Sequence, residues 1–258
     1  MTPLEAFQDT LDRAKYFLRL RNGIINVRKR QIRSDWKARF CTLMHWNQGD
    51  DISRVDSADA VVILRDHASL TTEDFSATAT DDLLRSALVY GVSAIDRYMH
   101  ERVVRNIVPA LKATPLNREQ REFSIPASQV MAMAKRAAKA SHAGESIRPA
   151  NDVRNAVQDL LHKRPIQSWR EIDWAFKLFG ETKFETKLRT ALHVAKIDST
   201  KATIAGITFR RNSIVHEGDL YRFQRAGKAQ LKVKEISPSY VADSLDFIEK
   251  FVLAIDTI

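Results

Sequence analysis

Apolar residues recur at three- and four-residue spacing over several long stretches of the chain, which is the periodicity of amphipathic helices. Residues 24–46 fit either a strand or a helix, and residues 60–64 are predicted to form a short buried strand. The predicted fold class is therefore mainly α, with a helical domain over residues 81–258 and an N-terminal α or α+β extension over residues 1–80. The predicted helices cover residues 4–21, 81–109, 128–141, 151–164, 168–179, 199–216 and 240–258, with a shorter one within 184–197.

Charge is distributed unevenly along the N-terminal extension. The formal net charge is +9, and residues 13–39 alone carry ten basic residues against one acid, Asp35, whereas residues 50–82 carry nine acids and two arginines. A clustered basic block is typical of a segment that binds a polyanion such as RNA. The alternative is a solvated helix face that the acidic segment folds onto and partly neutralises. The predicted RNA contacts in the block are Arg28, Lys29, Arg30 and Arg33.

Several classes of protein are excluded by what the sequence lacks. The single cysteine, Cys41, cannot form a disulfide framework or a thiolate zinc site. The longest aliphatic run, residues 60–64, is far below the roughly 18 residues of a membrane span, and the N-terminus has no apolar signal core. No phosphate-cradling glycine loop is present, so we predict no cofactor and no metal. The alternative of a DNA-binding regulator is not favoured, because the sequence shows no helix-turn-helix pattern. We expect a cytoplasmic protein without membrane association.

One short segment, at the end of the predicted helix 199–216, carries candidate chemistry. Asn212 and His216 are four residues apart and share a helix face, and Arg211 flanks them. A histidine can give or take a proton, and an arginine can hold a phosphate bidentately. Metal-independent RNA cleavage needs such groups, because one proton leaves the ribose 2′-OH, another joins the departing 5′ oxygen, and the phosphorane carries charge. The spacing alone also fits a structural role, in which Arg211 and His216 form a helix cap and a surface pair.

The six residues from Arg211 to His216 resemble the signature of the HEPN superfamily, R-x4–6-H with a polar residue after the arginine. The resemblance covers residues 81–258 and implies a bundle of four or five helices, in which one more helix follows the motif, as the predicted helix 240–258 does. Asp96 and His100 in the long helix resemble a HEPN subgroup named for ribonuclease L and PSP proteins. These two residues are four apart and share a helix face. They either point into the same pocket as Arg211 and His216 or form a local hydrogen-bonded pair.

The resemblance implies a metal-independent endoribonuclease of toxin or anti-phage defence type, acting at a composite site in a homodimer. Arg211 would be the phosphate cation, Asn212 the orienting group and His216 the acid and base, while Arg210 offers a second, R-x5-H register. The implied partners are RNA, a second copy, and an antitoxin or other defence-system protein. Gly218 stands where HEPN toxins neutralised by AMP transfer have a tyrosine, which argues against that kind of antitoxin. The alternative is a non-catalytic HEPN-like module that binds RNA or protein.

Overall fold

A computed structural model of the chain describes residues 1–25, 28–30, 32–57, 60–65, 68–143, 149–221 and 232–258, with only the backbone of 28–30. Over these residues the protein is mainly α, as the periodicity predicts. None of the described helices combines the length and apolar character that crossing a bilayer requires. The helices are α1 Pro3–Ile24, α2 Ser34–Leu43, α3 Ala77–Lys112, α4 Arg118–Glu122, α5 Ala127–His142, α6 Pro149–Leu161, α7 Trp169–Leu178, α8 Phe184–Ala191, α9 Asp198–Glu217 and α10 Pro238–Asp256.

Helix α3 is the centre of the bundle, and α1, α6, α7, α9 and α10 pack around it. It starts before the predicted residue 81 because the hydroxyl of Ser76 caps it by accepting from the Ala79 amide (3.2 Å). Gly91 lies where α10 crosses α3 closely, and a Cβ there would stand 2.5 Å from Leu245 Cδ2. The core around this axis consists of fully buried aliphatic and aromatic side chains, among them Leu88, Ile95, Tyr98, Ile248 and Phe251.

Helix α1 belongs to this same core. A capping box formed by Thr2 and Glu5 starts it, and its buried stripe of Phe7, Leu11 and Ala14 joins the cluster of α3 and α10. The predicted boundary at residue 80 would place α1 outside the helical domain, whereas the structure places α1 within the bundle. The physical reason is the apolar face of α1, which must be buried and finds its partner in α3.

Residues 28–65 form a small module of one helix and a three-stranded antiparallel sheet. The strands are β1 Arg28–Arg30, β2 Ile52–Asp56 and β3 Val61–Arg65, in that order across the sheet. The predicted strand at 60–64 is thus present as β3, although Leu64 is its one buried residue and Val61 is 57% exposed. Within α2 the rings of Trp36 and Phe40 stack with centroids 4.8 Å apart, and Trp46 after the helix meets the Phe40 ring edge-on at 5.6 Å.

Candidate functional site

The last turn of α9 is closed by two residues in the left-handed conformation. Gly218 ends the helix at φ 61°, and Asp219 follows at φ 57°. The amides of Gly218 and Asp219 both donate back to the Ser213 carbonyl, that of Asp219 at 2.9 Å, and these bonds close the helix end. The helix predicted to end at residue 216 thus ends within one residue of that position, and its closure holds the turn that carries His216 in a defined position.

Arg211, Asn212 and His216 all line one open pocket of about 410 Å³, named here the α9 pocket. Its opposite wall is the loop 162–168 between α6 and α7. The hydroxyl of Thr208 on α9 donates to the carbonyl of Gln167 at 3.2 Å, so helix and loop are tied directly together. The predicted catalytic residues therefore share one solvent-accessible space, although they were selected from sequence alone.

Within the α9 pocket Arg211 is oriented by a hydrogen bond, whereas His216 has no hydrogen-bond partner among the described residues. Arg211 Nη1 donates to Asn212 Oδ1 at 3.1 Å, and the Arg211 Nε is enclosed without a hydrogen-bond partner in the described part of the chain. Asn212 and His216 are both exposed. This arrangement presents a half-buried guanidinium and an accessible imidazole to whatever enters the pocket, as the predicted roles require.

The structure adds charged residues to the site that the motif did not indicate. Lys163 and Arg164 line the α9 pocket from the loop, and Glu171 at the start of α7 faces them. Arg164 Nε lies 2.7 Å from Glu171 Oε2, so one of these basic groups is paired. With Arg211, the lining holds three basic side chains and one carboxylate, which favours an anionic ligand. The available signal was the basic run before Pro165, at the end of the predicted helix 151–164.

Asp96 and His100 support the loop from behind rather than lining the α9 pocket. Asp96 Oδ1 accepts from the Ile166 amide at 2.5 Å, and His100 Nε2 donates to the Arg164 carbonyl at 3.1 Å. The two side chains also face each other across 3.5 Å. Of the two predicted arrangements, the structure thus has the local pair, and that pair fixes the backbone from which Arg164 projects.

Arg210 points away from the α9 pocket into a buried ion cluster. Its Nη2 lies 2.7 Å from Asp219 Oδ2, and Arg85 Nε approaches the same oxygen at 3.0 Å. Asp219 is fully buried. Arg85, Arg210 and Asp219 are named the Asp219 cluster. Its two arginines also donate to backbone carbonyls, Arg85 to that of Lys234 and Arg210 to that of Glu235, and so connect the end of α9 to residues 234–235. The R-x5-H register therefore has its arginine in a structural role.

The acidic segment neutralises part of the basic block, as the alternative interpretation predicts. Lys37 Nζ lies 2.6 Å from Asp51 Oδ1, and Arg21 Nη2 lies 2.9 Å from Asp81 Oδ1. Arg33 remains exposed, with an 85% accessible side chain. The predicted RNA contacts Arg28, Lys29 and Arg30 lie in β1, and their side chains are outside the described residues.

In the part of the chain that the structure describes, no group of three or more His, Cys, Asp or Glu side chains is arranged to hold a metal ion. Comparison of the chain with protein-family models, with curated protein sequences and with solved structures finds no match. The HEPN relationship accordingly stays a prediction that rests on the resemblance of the residues from Arg211 to His216.

Proposed function

We propose that the protein is a metal-independent endoribonuclease that cleaves RNA at the α9 pocket. In the reaction, the ribose 2′ oxygen bonds to the adjacent phosphorus as it loses its proton, and the bond to the 5′ oxygen breaks as that oxygen gains one. The products are a 2′,3′-cyclic phosphate and a 5′-hydroxyl, so atoms and charge balance without a further reactant. His216 transfers a proton, Arg211 binds the phosphate, and Asn212 orients the guanidinium.

The observation that carries the proposal is the convergence of Arg211, Asn212 and His216 on one open, mainly basic pocket. An arginine at a structural helix cap would be engaged by the helix end or by a carboxylate, as Arg210 is. Arg211 instead has the neighbouring Asn212 amide as its partner and faces the pocket. This contrast between adjacent arginines favours the catalytic interpretation over a cap with a surface pair.

A second copy of the chain would complete the site. Among the described residues, one chain contributes a single imidazole to the α9 pocket, whereas the reaction moves two protons. The exposed side of α9 also carries large apolar side chains beside His216, because Phe209 is 71% and Val215 46% exposed. A twofold contact through this side of α9 would bury both residues and bring two His216 side chains toward one phosphate. The proposed partner is therefore an identical chain.

The biological setting is proposed from the resemblance alone. A nuclease of toxin or anti-phage type acts in the cytoplasm on the RNA of its own cell and needs an antitoxin or another defence-system protein to restrain it. A non-catalytic module is the second candidate, and the single imidazole per chain favours it if the protein stays monomeric. Such a module would bind RNA with strong salt dependence and leave it intact.

The test is incubation of the purified protein with total RNA in excess EDTA, followed by mapping of the cleavage ends. We expect cleavage by the wild type, with cyclic phosphate ends, and a loss of about 10²–10⁴-fold in His216→Ala. Arg211→Ala should lose about 10²–10³-fold. The matched control is His142→Ala, which removes an exposed histidine at the end of α5 and should cleave as the wild type does.

Two results would overturn the proposal. Cleavage that survives both His216→Ala and Arg211→Ala would place the chemistry elsewhere, and cleavage that EDTA abolishes would require a metal. Sedimentation of the wild type beside Phe209→Glu tests the dimer separately, since a charge at the twofold contact should release monomers and remove cleavage together. Binding of RNA without cleavage by a stable dimer would favour the non-catalytic module.

A further inference from the structure

A second pocket adjoins the α9 pocket and shares a wall with it. This base pocket, of about 510 Å³, has Phe123 after α4, Leu160 of α6, Trp174 of α7 and Arg164 in its lining. Its other lining residues are Ser124 and three charged residues of α4, namely Arg118, Glu119 and Glu122. Its volume lies within the roughly 300–1,000 Å³ of small-molecule sites. Arg164 lines both pockets, so a ligand that occupied the α9 pocket would extend past this side chain into the base pocket.

Arg164 is held over an aromatic ring. Its guanidinium carbon lies 3.5 Å from the centre of the Trp174 ring, and its Nε is 2.7 Å from Glu171 Oε2. Glu171 and Trp174 are one turn apart on α7, so a single helix holds the guanidinium at two points. The Arg164 side chain nevertheless remains 44% exposed. An ordered and accessible guanidinium plane of this kind is a surface on which nucleobases stack.

The remaining walls of the base pocket are also fixed in place. Asn117 Nδ2 donates to the Lys177 carbonyl at 2.6 Å, and Gln120 Nε2 donates to the Leu178 carbonyl at 3.2 Å. These two hydrogen bonds connect α4 to the end of α7. The loop that carries Arg164 is bound from behind by Asp96 and His100. The base pocket thus needs no rearrangement to receive a planar ligand.

We propose that Arg164, stacked on Trp174, is a platform for one nucleobase of the RNA strand, and that the base pocket receives this base while the neighbouring phosphate lies at Arg211 and His216. The inference rests on the proposed function, because it takes RNA as the substrate. It assigns Arg164 a binding role beyond neutralising a phosphate, since only a planar cation offers a stacking face. A lysine at this position would keep the charge and lose the platform.

The test uses the full chain and a short labelled 2′-O-methyl oligoribonucleotide, which cannot be cut by 2′-OH attack, with binding followed by fluorescence anisotropy. Arg164→Lys should raise Kd about tenfold, or about 1.4 kcal/mol. An abasic site at one position of the oligonucleotide should weaken wild-type binding by the same factor. Arg164→Lys should then add nothing further, because the base that stacks is already missing.

The matched control is Arg170→Lys, an exposed arginine of the same helix α7 that lines neither pocket. Its Kd should equal that of the wild type. Trp174→Leu is the second variant; it removes the support under Arg164 and should behave as Arg164→Lys does, while Trp174→Phe should retain most of the binding. Thermal unfolding of each variant confirms that the fold is kept.

Equal weakening by Arg164→Lys and Arg170→Lys, or an abasic scan that is flat at every position, would overturn the platform. These results are independent of the cleavage assay. Cleavage of unmodified RNA together with a flat scan rejects the platform alone, whereas an Arg164-dependent base effect without any cleavage rejects the nuclease and supports the platform.

Discussion

The two sides of the last turn of α9 differ in how completely their side chains are engaged. On the buried side, Arg210 and Asp219 form an ion cluster with Arg85, and Asp219 has no accessible surface. On the open side, Arg211 has a neighbouring amide as its partner and His216 is exposed. Two adjacent arginines therefore have different surroundings, because successive residues of a helix point about 100° apart.

This difference shows how the fold can position an accessible side chain without engaging it in a structural contact. The buried side carries the structural connections, since the Asp219 cluster joins α9 to α3 and to the backbone at 234–235. The open side is thereby positioned through the backbone, and its side chains stay available for a ligand. Substitutions on the buried side should consequently affect stability, and those on the open side should affect binding and cleavage.

The largest expected effect is on the buried side. Asp219→Ala leaves Arg85 and Arg210 without their shared carboxylate, and removal of one partner from a buried ion pair costs about 3–5 kcal/mol in the free energy of unfolding. Asp219→Asn is the variant to use if the alanine protein does not fold, because asparagine tolerates the left-handed conformation that Asp219 has at φ 57°. Urea denaturation measures both.

The controls for this prediction are an exposed carboxylate of α10 and the half-buried arginine next to Arg210. Asp246→Ala removes an exposed carboxylate from α10, and Arg211→Ala removes the open-side neighbour of Arg210. Each should change the free energy of unfolding by less than about 0.5 kcal/mol. A loss of stability in Arg211→Ala as large as that in Asp219→Ala would show that the two sides do not differ in the way described.

A smaller effect is expected at the loop that faces α9. Asp96→Ala leaves the amide of Ile166, a residue with no accessible surface, without its acceptor, which costs about 1–3 kcal/mol. The same change loosens the backbone that carries Lys163 and Arg164, so RNA binding should weaken as well. Asp96→Asn keeps an acceptor oxygen and should resemble the wild type in both measurements. Equal behaviour of the two variants would mean that this hydrogen bond does not position the loop.

The sequence was most informative where the signals that predict a helix lie within that helix or directly beside it. The helix predicted over residues 199–216 lies within the observed α9, and the final helix was predicted from its apolar stripe. The periodicity of α1 was equally clear, but it did not say that Phe7 would be buried against α3. Which face meets which partner depends on contacts between residues far apart in the chain, and a single helical pattern does not contain them.

The candidate site divides in the same way. Arg211, Asn212 and His216 were accessible to sequence analysis because they lie within six consecutive residues of one helix. Arg164 and Trp174 were not, since their stack brings a loop residue onto the next helix and neither belongs to the motif. The direction of Arg210 depends on Asp219 folding back beneath α9, which only the left-handed turn after Glu217 makes possible.

The smallest expected effect compares two neighbours, Asn212 on the open side and Ser213 on the buried side. Lys234 Nζ donates to Ser213 Oγ at 2.7 Å, so Ser213→Ala should lower the free energy of unfolding by about 1 kcal/mol. Asn212→Ala should change it by less than about 0.5 kcal/mol and instead slow cleavage, because the Arg211 guanidinium loses the oxygen that orients it. Denaturation curves and initial cleavage rates should be measured on the same preparations of both variants. Together they separate an effect on stability from an effect on cleavage. If Ser213→Ala slows cleavage more than Asn212→Ala does, the amide does not orient Arg211.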